Sequence, residues 1–131
     1  MRESLWPAYT GVHVNEIERY FSGGLQEPLE VLLAFDDNEA AIGFIELSIR
    51  RYAEDCVTDR VAFIEGWYVE PAARRSGVGK ALVRAAETWG KSQGCAELAS
   101  DTEIDNDGSI AAHFALGFND AGAIRCFKKN L

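Results

Sequence analysis

The stretch Val69-Glu70-Pro71-Ala72-Ala73-Arg74-Arg75-Ser76-Gly77-Val78-Gly79-Lys80 constrains this chain more than any other. An apolar run stops at Pro71, two arginines follow, and two glycines open the helical stripe Val78, Leu82, Ala85 and Trp89. Proline cannot donate to a strand ladder, and glycine lets the backbone turn sharply or approach a ligand closely. A strand turned into a helix in this way leaves the helix N-terminus, with its unpaired N–H groups and partial positive charge, beside two guanidinium groups. That is a cradle for an anion, and a phosphate-bearing ligand is its natural occupant. The plainer alternative is a tight turn permitted by Gly77, with solvated arginines.

Two common phosphate motifs do not fit. A P-loop places Gly where Arg74 stands and Ser or Thr where Ala81 follows Lys80. A dinucleotide fingerprint lacks its third glycine, since Gly77-Val78-Gly79 runs into Lys80-Ala81-Leu82.

The remaining elements follow from periodicity. Val14, Ile17 and Phe21 predict a short amphipathic helix ended by Gly23-Gly24. Leu29–Phe35 and Ala40–Arg50 are two strands around the turn Asp36-Asp37-Asn38-Glu39, and 51–60 is a polar loop. Val61–Glu70 is a third strand, in which Gly66 marks a bulge or a close backbone approach. The helix from Gly77 runs to about Gln93 with Gly94 as its stop. Ala96–Ser100 is a short strand, 101–108 an acidic loop, Ser109–Gly117 a short helix, and two closing strands flank Gly122 as a C-terminal hairpin. The expected class is α/β, a mixed sheet with helices packed on it, in one domain spanning 1–131.

Composition narrows the function. At 47% hydrophobic residues the chain can bury a core, and no window reaches the length of a membrane span. The first residues lack the basic head and apolar stretch of a secretory signal. Acidic residues outnumber basic ones 21 to 13, so the net charge is −8, which repels nucleic acid and attracts cations. Cys56, Cys95 and Cys126 are odd in number and lack metal-binding spacing, as expected of a reduced, cytoplasmic, metal-free protein. Calcium fails as well: a loop register starting at Glu103 puts Phe114 where a bidentate Glu is required. Glu103, Asp105 and Asp107 read instead as an electrostatic trap for a polycation, or as a solvated acidic loop.

Arg74-x-x-Gly77-x-Gly79 after a strand and Pro71 resembles the acyl-CoA pyrophosphate loop of the GNAT superfamily of N-acetyltransferases, and Asn106 with Gly117-Phe118 resembles that superfamily's second cofactor element. Leu5-Trp6-Pro7 and the stretches 63–83 and 96–106 resemble bacterial aminoglycoside 6′-N-acetyltransferases, a likeness running from Leu5 to the end. The resemblance implies acetyl transfer from acetyl-CoA to a primary amine of a cationic substrate by direct attack in a ternary complex. Pantetheine would lie along the backbone near Trp67, Tyr68 and Val69. The pyrophosphate would sit on amides contributed by Arg74, Arg75, Ser76, Gly77, Val78, Gly79 and Lys80.

The same resemblance implies catalytic roles for Glu65 and Asp101. Glu65, among Phe63, Ile64, Trp67 and Tyr68, is costly to bury without a partner, and a cationic amine would be one. It would bind the amine or accept its proton. The alternative is a solvent-facing position on an alternating strand. Asp101 matches an acidic substrate-site position, or else is a loop or cap aspartate. Trp6 and Tyr52 match aromatic positions lining the acceptor site, where sugar rings and ammonium groups pack well, although core packing also suits a Trp. Asn106 would hydrogen-bond pantetheine, or serve as a cap. His113 departs from the Tyr that many members place there to protonate the leaving thiolate; it reads as a CoA contact, an acid or a structural residue. His13 reads as bland.

Members of the subfamily usually begin with a strand and most of a helix before the Leu-Trp pair, whereas only four residues precede it here. The expected sheet therefore lacks its first N-terminal strand, leaving a neighbouring edge open or covered by another subunit. A homodimer is the expected assembly. The rival readings are an acetyltransferase for a polyamine or peptide and a non-catalytic acetyl-CoA-binding module.

Overall fold

Glu30–Phe35 (β1), Ala41–Arg50 (β2), Val61–Val69 (β3) and Leu98–Ser100 (β4) form one sheet in that order in the computed structural model, which describes residues 1–131. The first three strands are antiparallel neighbours, and β4 runs parallel to β3. Helices Arg2–Leu5 (α1) and His13–Phe21 (α2) precede the sheet, and Val78–Ser92 (α3) connects β3 to β4. No strand precedes Glu30, and the mixed α/β sheet flanked by helices is the one expected. Residues 1–101 and 102–131 are two compact units; the second holds Asp107–Ala115 (α4). No helix is long and apolar enough to cross a membrane.

Local chemistry sets the boundaries. In the β1–β2 turn the Asp36 carboxylate accepts from the amides of Asn38 and Ala40, each at 2.9 Å, beside the backbone bond from Asp36 N–H to the Ala40 carbonyl. The loop 51–60 is fastened by Glu97, whose carboxylate accepts from the amides of Val57 at 3.1 Å and Thr58 at 2.8 Å and from the Thr58 hydroxyl at 2.6 Å. Helices α2, α3 and α4 all stop at left-handed glycines, Gly23, Gly94 and Gly117. In α4, Phe118 N–H donates to the His113 carbonyl and Gly117 N–H to the Phe114 carbonyl, both at 3.1 Å, the paired bonds that close a helix C-terminus.

The core lies between one sheet face and α3. Ile45, Leu47, Ala62 and Ile64 are buried on that face, against Leu82, Val83 and Ala86. Close approach is built in: a Cβ on Gly90 would sit 3.0 Å from the Ala62 Cβ, and one on Gly43 3.2 Å from Leu82. On the opposite face Phe44 packs with Tyr68 and with Trp6, at centroid distances of 6.2 and 6.3 Å.

Two expectations need correction. The residues flanking Gly122 form no hairpin; 118–131 contains no strand, and Ile124 and Phe127 are 67% and 89% exposed. The Asp120 carboxylate instead accepts from Gly122 N–H at 2.8 Å. A ladder needs a partner strand and a covered apolar face, and this segment has neither within one copy of the chain. Helix α2 forms as expected, with its apolar stripe uncovered and Phe21 80% exposed, but it buries His13. His13 is therefore not bland: its Nε2 lies 3.2 Å from the Trp6 carbonyl.

The doubled reading of Gly66 resolves as both features at once. Glu46 pairs with Gly66 and Leu47 with Ile64, leaving Glu65 as the extra residue of a bulge. The indole of Trp6 lies on Gly66, where a Cβ would come 2.4 Å from its Cη2. Gly66→Ala should cost about 1–3 kcal/mol in denaturant unfolding, because the indole must leave its seat. In a Trp6→Ala background the same change should cost markedly less; an equal cost would place the constraint in the bulge itself.

Candidate active site

The parallel ladder between β3 and β4 ends at Ile64 with Ser100, while β3 continues to Val69. From Glu65 onward the backbone edge on that side carries no strand. Trp67, Tyr68 and Val69, expected along pantetheine, lie on this stretch, which ends at Pro71 and the Arg-Gly loop. The Trp67 ring itself turns to α3, where a Cβ on Gly79 would meet it at 3.0 Å. Gly79 is thus required by packing between helix and strand.

The loop has the form of an anion cradle. Gly77 is the left-handed N-cap of α3 with φ of 90°, Arg75 is also left-handed, and no side chain caps the helix. The first-turn amides of Val78, Gly79 and Lys80 are thus left without a side-chain acceptor, and a Cβ on Gly77 would meet nothing within 4 Å. These residues fit a diphosphate. Both arginines are exposed, but Arg74 is tethered: its Nε donates to the Val69 carbonyl at 2.9 Å and its guanidinium leans over Tyr68. Ser76 donates its hydroxyl to the Ala73 carbonyl and so braces the turn.

At the other end of the open edge, the bulge aims Glu65 at Ser48 and Arg50 of β2. Arg50 Nε donates to Glu65 Oε1 at 3.0 Å and Nη2 to Oε2 at 2.7 Å, and the Ser48 hydroxyl also donates to Oε1. The cost of placing Glu65 among apolar neighbours is therefore met inside the chain, by a resident cation. Burial pushes the Glu65 carboxyl up, but the hydrogen bonds from Arg50 and Ser48 and the Arg50 charge outweigh it, so its pKa lies below the usual value. A carboxylate held ionised so firmly suits cation binding better than proton acceptance.

Ser48 and Arg50 were not singled out from the sequence. Their signal was alternation: Glu46, Ser48 and Arg50 share one face of β2, but only the bulge shows that Glu65 joins them. Glu46 is also buried there. Burial raises its pKa more than Arg2, whose Nε is 2.7 Å from Oε1, lowers it, and Glu16 and Glu65 add repulsion. The Arg2 contact helps hold the N-terminal segment against the sheet, with Trp6 at the bulge.

Asp101 directly follows Ser100 at the end of the ladder; it is exposed, and its charge acts on Arg50. Tyr52, just beyond β2, is 69% exposed. In the unit 102–131, Asn106 Oδ1 accepts from Ser109 N–H at 3.1 Å and so caps α4. His113 Nδ1 donates to the Ser109 carbonyl at 2.7 Å, and its ring meets Phe118 edge-on at 5.1 Å. Both residues therefore have structural work within α4 and its stop.

Comparison with known proteins gives a consistent result. The profile of the acetyltransferase (GNAT) family matches residues 1–118. The chain is 52% identical, over all of its length and 87% of the relative's, to aminoglycoside N(6′)-acetyltransferase type 1 of Klebsiella aerogenes, and 41% identical to that of Acinetobacter baumannii, covering 88% of it. Among solved structures, AAC(6′)-IG of Acinetobacter haemolyticus superposes with a TM-score of 0.86 at 38% identity, covering 99% of this chain and 88% of that one. AAC(6′)-Iy in complex with the bisubstrate analogue CoA-S-monomethyl-acetylneamine superposes at 0.84 and 34% identity, covering 100% and 88%.

The lowered Glu65 pKa fixes a sign. Its ionised form favours folding, so its contribution is complete above the unfolded carboxylate value of about 4.3 and is lost as pH falls through the lower folded value. Glu46 acts oppositely, since its raised pKa means that ionisation opposes folding. The Tm difference between the native protein and Glu65→Gln should therefore be largest near neutral pH and shrink below about pH 4. A difference that stays constant down to acid pH would remove the ion pair as its source.

Proposed function

The chain belongs to the acetyltransferase (GNAT) family, and from that premise we propose that it transfers the acetyl group of acetyl-CoA to the 6′-amine of an aminoglycoside. One observation carries the reading: the edge of β3 left open beyond Ile64 runs from two carboxylates to an uncapped helix N-terminus. A thioester donor laid along that edge would have its diphosphate at one end and its acetyl group beside the acidic end. The match of the family profile across both units supports treating 1–131 as one acetyltransferase domain.

The amides of the Arg74–Lys80 loop would hold the diphosphate, and the backbone of Trp67, Tyr68 and Val69 the pantetheine arm. When bound, acetyl-CoA supplies the activated acetyl group. The chain's own residues bind and orient the acceptor. Glu65 anchors a cationic group, Trp6 and Tyr52 offer aromatic faces to sugar rings, and the exposed Asp101 takes the proton of the attacking amine, directly or through water. Asn106 and His113 are engaged within α4, as its cap and along its last turn. With the amine held near the acetyl carbon and its proton removed, the C–N bond would form as the C–S bond breaks, and coenzyme A would leave as the thiolate.

The assembly we propose is a homodimer, because a second copy would cover the exposed Ile124, Phe127 and Leu131 of the unpaired C-terminal segment. A reducing cytoplasm suits three unpaired cysteines. Sedimentation at micromolar concentration should give twice the chain mass; a monomer would refute the assembly.

Thiol release from acetyl-CoA, followed with kanamycin-type aminoglycosides, polyamines and peptides, tests the activity. Turnover confined to aminoglycosides is expected. Turnover on polyamines or peptides instead would replace the acceptor, and thermal protection by acetyl-CoA with no turnover at all would make the chain a binder. Gly77→Trp should weaken CoA binding at least tenfold at a stability cost of about 1–2 kcal/mol, because only the left-handed backbone is strained there. Unchanged CoA affinity would remove the cradle.

A further inference from the structure

The amine site already contains a cation, and its geometry leaves a specific remainder. A carboxylate offers about four acceptor directions, two on each oxygen. On Glu65, Oε1 receives both the Ser48 hydroxyl and Arg50 Nε, while Oε2 receives Arg50 Nη2 alone. One direction on Oε2 is unused. The guanidinium is itself held in place, with its carbon 3.4 Å from the centroid of the Phe63 ring, and Phe63 is buried. Ser48 is buried also, so the donors on Oε1 are seated in the sheet.

We infer that Arg50 is a positioning residue of the acceptor site: its fork turns Glu65 so that a single acceptor direction on Oε2 remains for one N–H of the cationic substrate. This inference rests on the proposed aminoglycoside reading and deepens it. The other charges facing the pair are Asp101 at the end of β4 and Glu27, which both act on Arg50, and Glu46 on the same face of β2, which senses Glu65. With Arg50 and Glu65 cancelling in net charge, the pair itself adds little to the long-range attraction that the net charge of −8 exerts on a polycation. Glu65 then contributes direction. Lysine supplies the same charge without the planar fork, so it separates orientation from electrostatics.

The test compares the native protein with Arg50→Lys and Arg50→Gln, with Glu65 observed through 13C-labelled carboxyl NMR. In Arg50→Lys the Glu65 midpoint should stay below the usual carboxylate range, while kcat falls about tenfold and the aminoglycoside KM changes less than threefold, as expected for lost orientation. In Arg50→Gln the midpoint should rise to the usual range or above, with a kcat loss at least as large. Native kcat in Arg50→Lys would overturn the inference, because charge alone would then suffice; so would an unchanged kcat in Arg50→Gln. CoA affinity serves as the control for folding. If Arg50→Gln does not fold, Arg50→Lys alone decides. Adding an aminoglycoside to the labelled native protein reads the site without turnover: a saturable Glu65 shift that Arg50→Lys abolishes or alters supports the inference even if no acetylation occurs. A native Glu65 signal that ignores the aminoglycoside overturns it. Absence of turnover in the native protein counts against the functional reading, independently of Arg50.

Discussion

An extra residue in β3 governs the rest of this structure. Where Glu46 faces Gly66 and Leu47 faces Ile64, the ladder must absorb Glu65, and the strand bends away from regular pairing. The parallel ladder to β4 ends at Ile64, next to that residue, so the bulge and the opening of the sheet lie side by side. The bulge carries a carboxylate to the face of Ser48 and Arg50, and the opening exposes the backbone that a thioester donor would follow. Gly66 completes the arrangement by having no side chain, which admits the Trp6 indole.

Charge is distributed to the same end. With a net charge of −8 the molecule attracts cations generally, but attraction alone does not orient them. Orientation comes from half-buried pairs whose geometry is over-determined. Arg50 is seated on Phe63 and forked on Glu65; Arg2 reaches Glu46 and ties the N-terminal segment to the sheet. The Arg50–Glu65 pair is partly exposed and adds little to stability, whereas Glu46 is buried. Their value here is directional.

The strands β1 to β3, the helix α3 and the short β4 were legible because apolar periodicity and the Gly and Pro punctuation agree at each boundary. The loop after Pro71 was legible as well, since two glycines and two arginines at a strand-to-helix turn leave few alternatives. Its glycines nonetheless divide: Gly77 is needed for its left-handed backbone, and Gly79 because the Trp67 ring lies on it. The C-terminal hairpin failed for a reason periodicity cannot express, as alternating apolar residues call for a partner strand without saying which chain provides it. Helix α2 formed where its periodicity put it, although its apolar stripe is exposed.

By itself, the sequence determined the class of fold, the place of the Arg-Gly loop at the start of α3 and the acidic residues that the open edge of β3 leads to, because these depend on local backbone preferences and on residue types. Only the tertiary structure decided that the partner of Glu65 is Arg50, fifteen positions away and on another strand. It also decided that Trp6 fills the space above Gly66. The physical reason is register: a single added residue in β3 changes which side chains share a face, and that shift is settled by packing across strands rather than by any residue's own propensity.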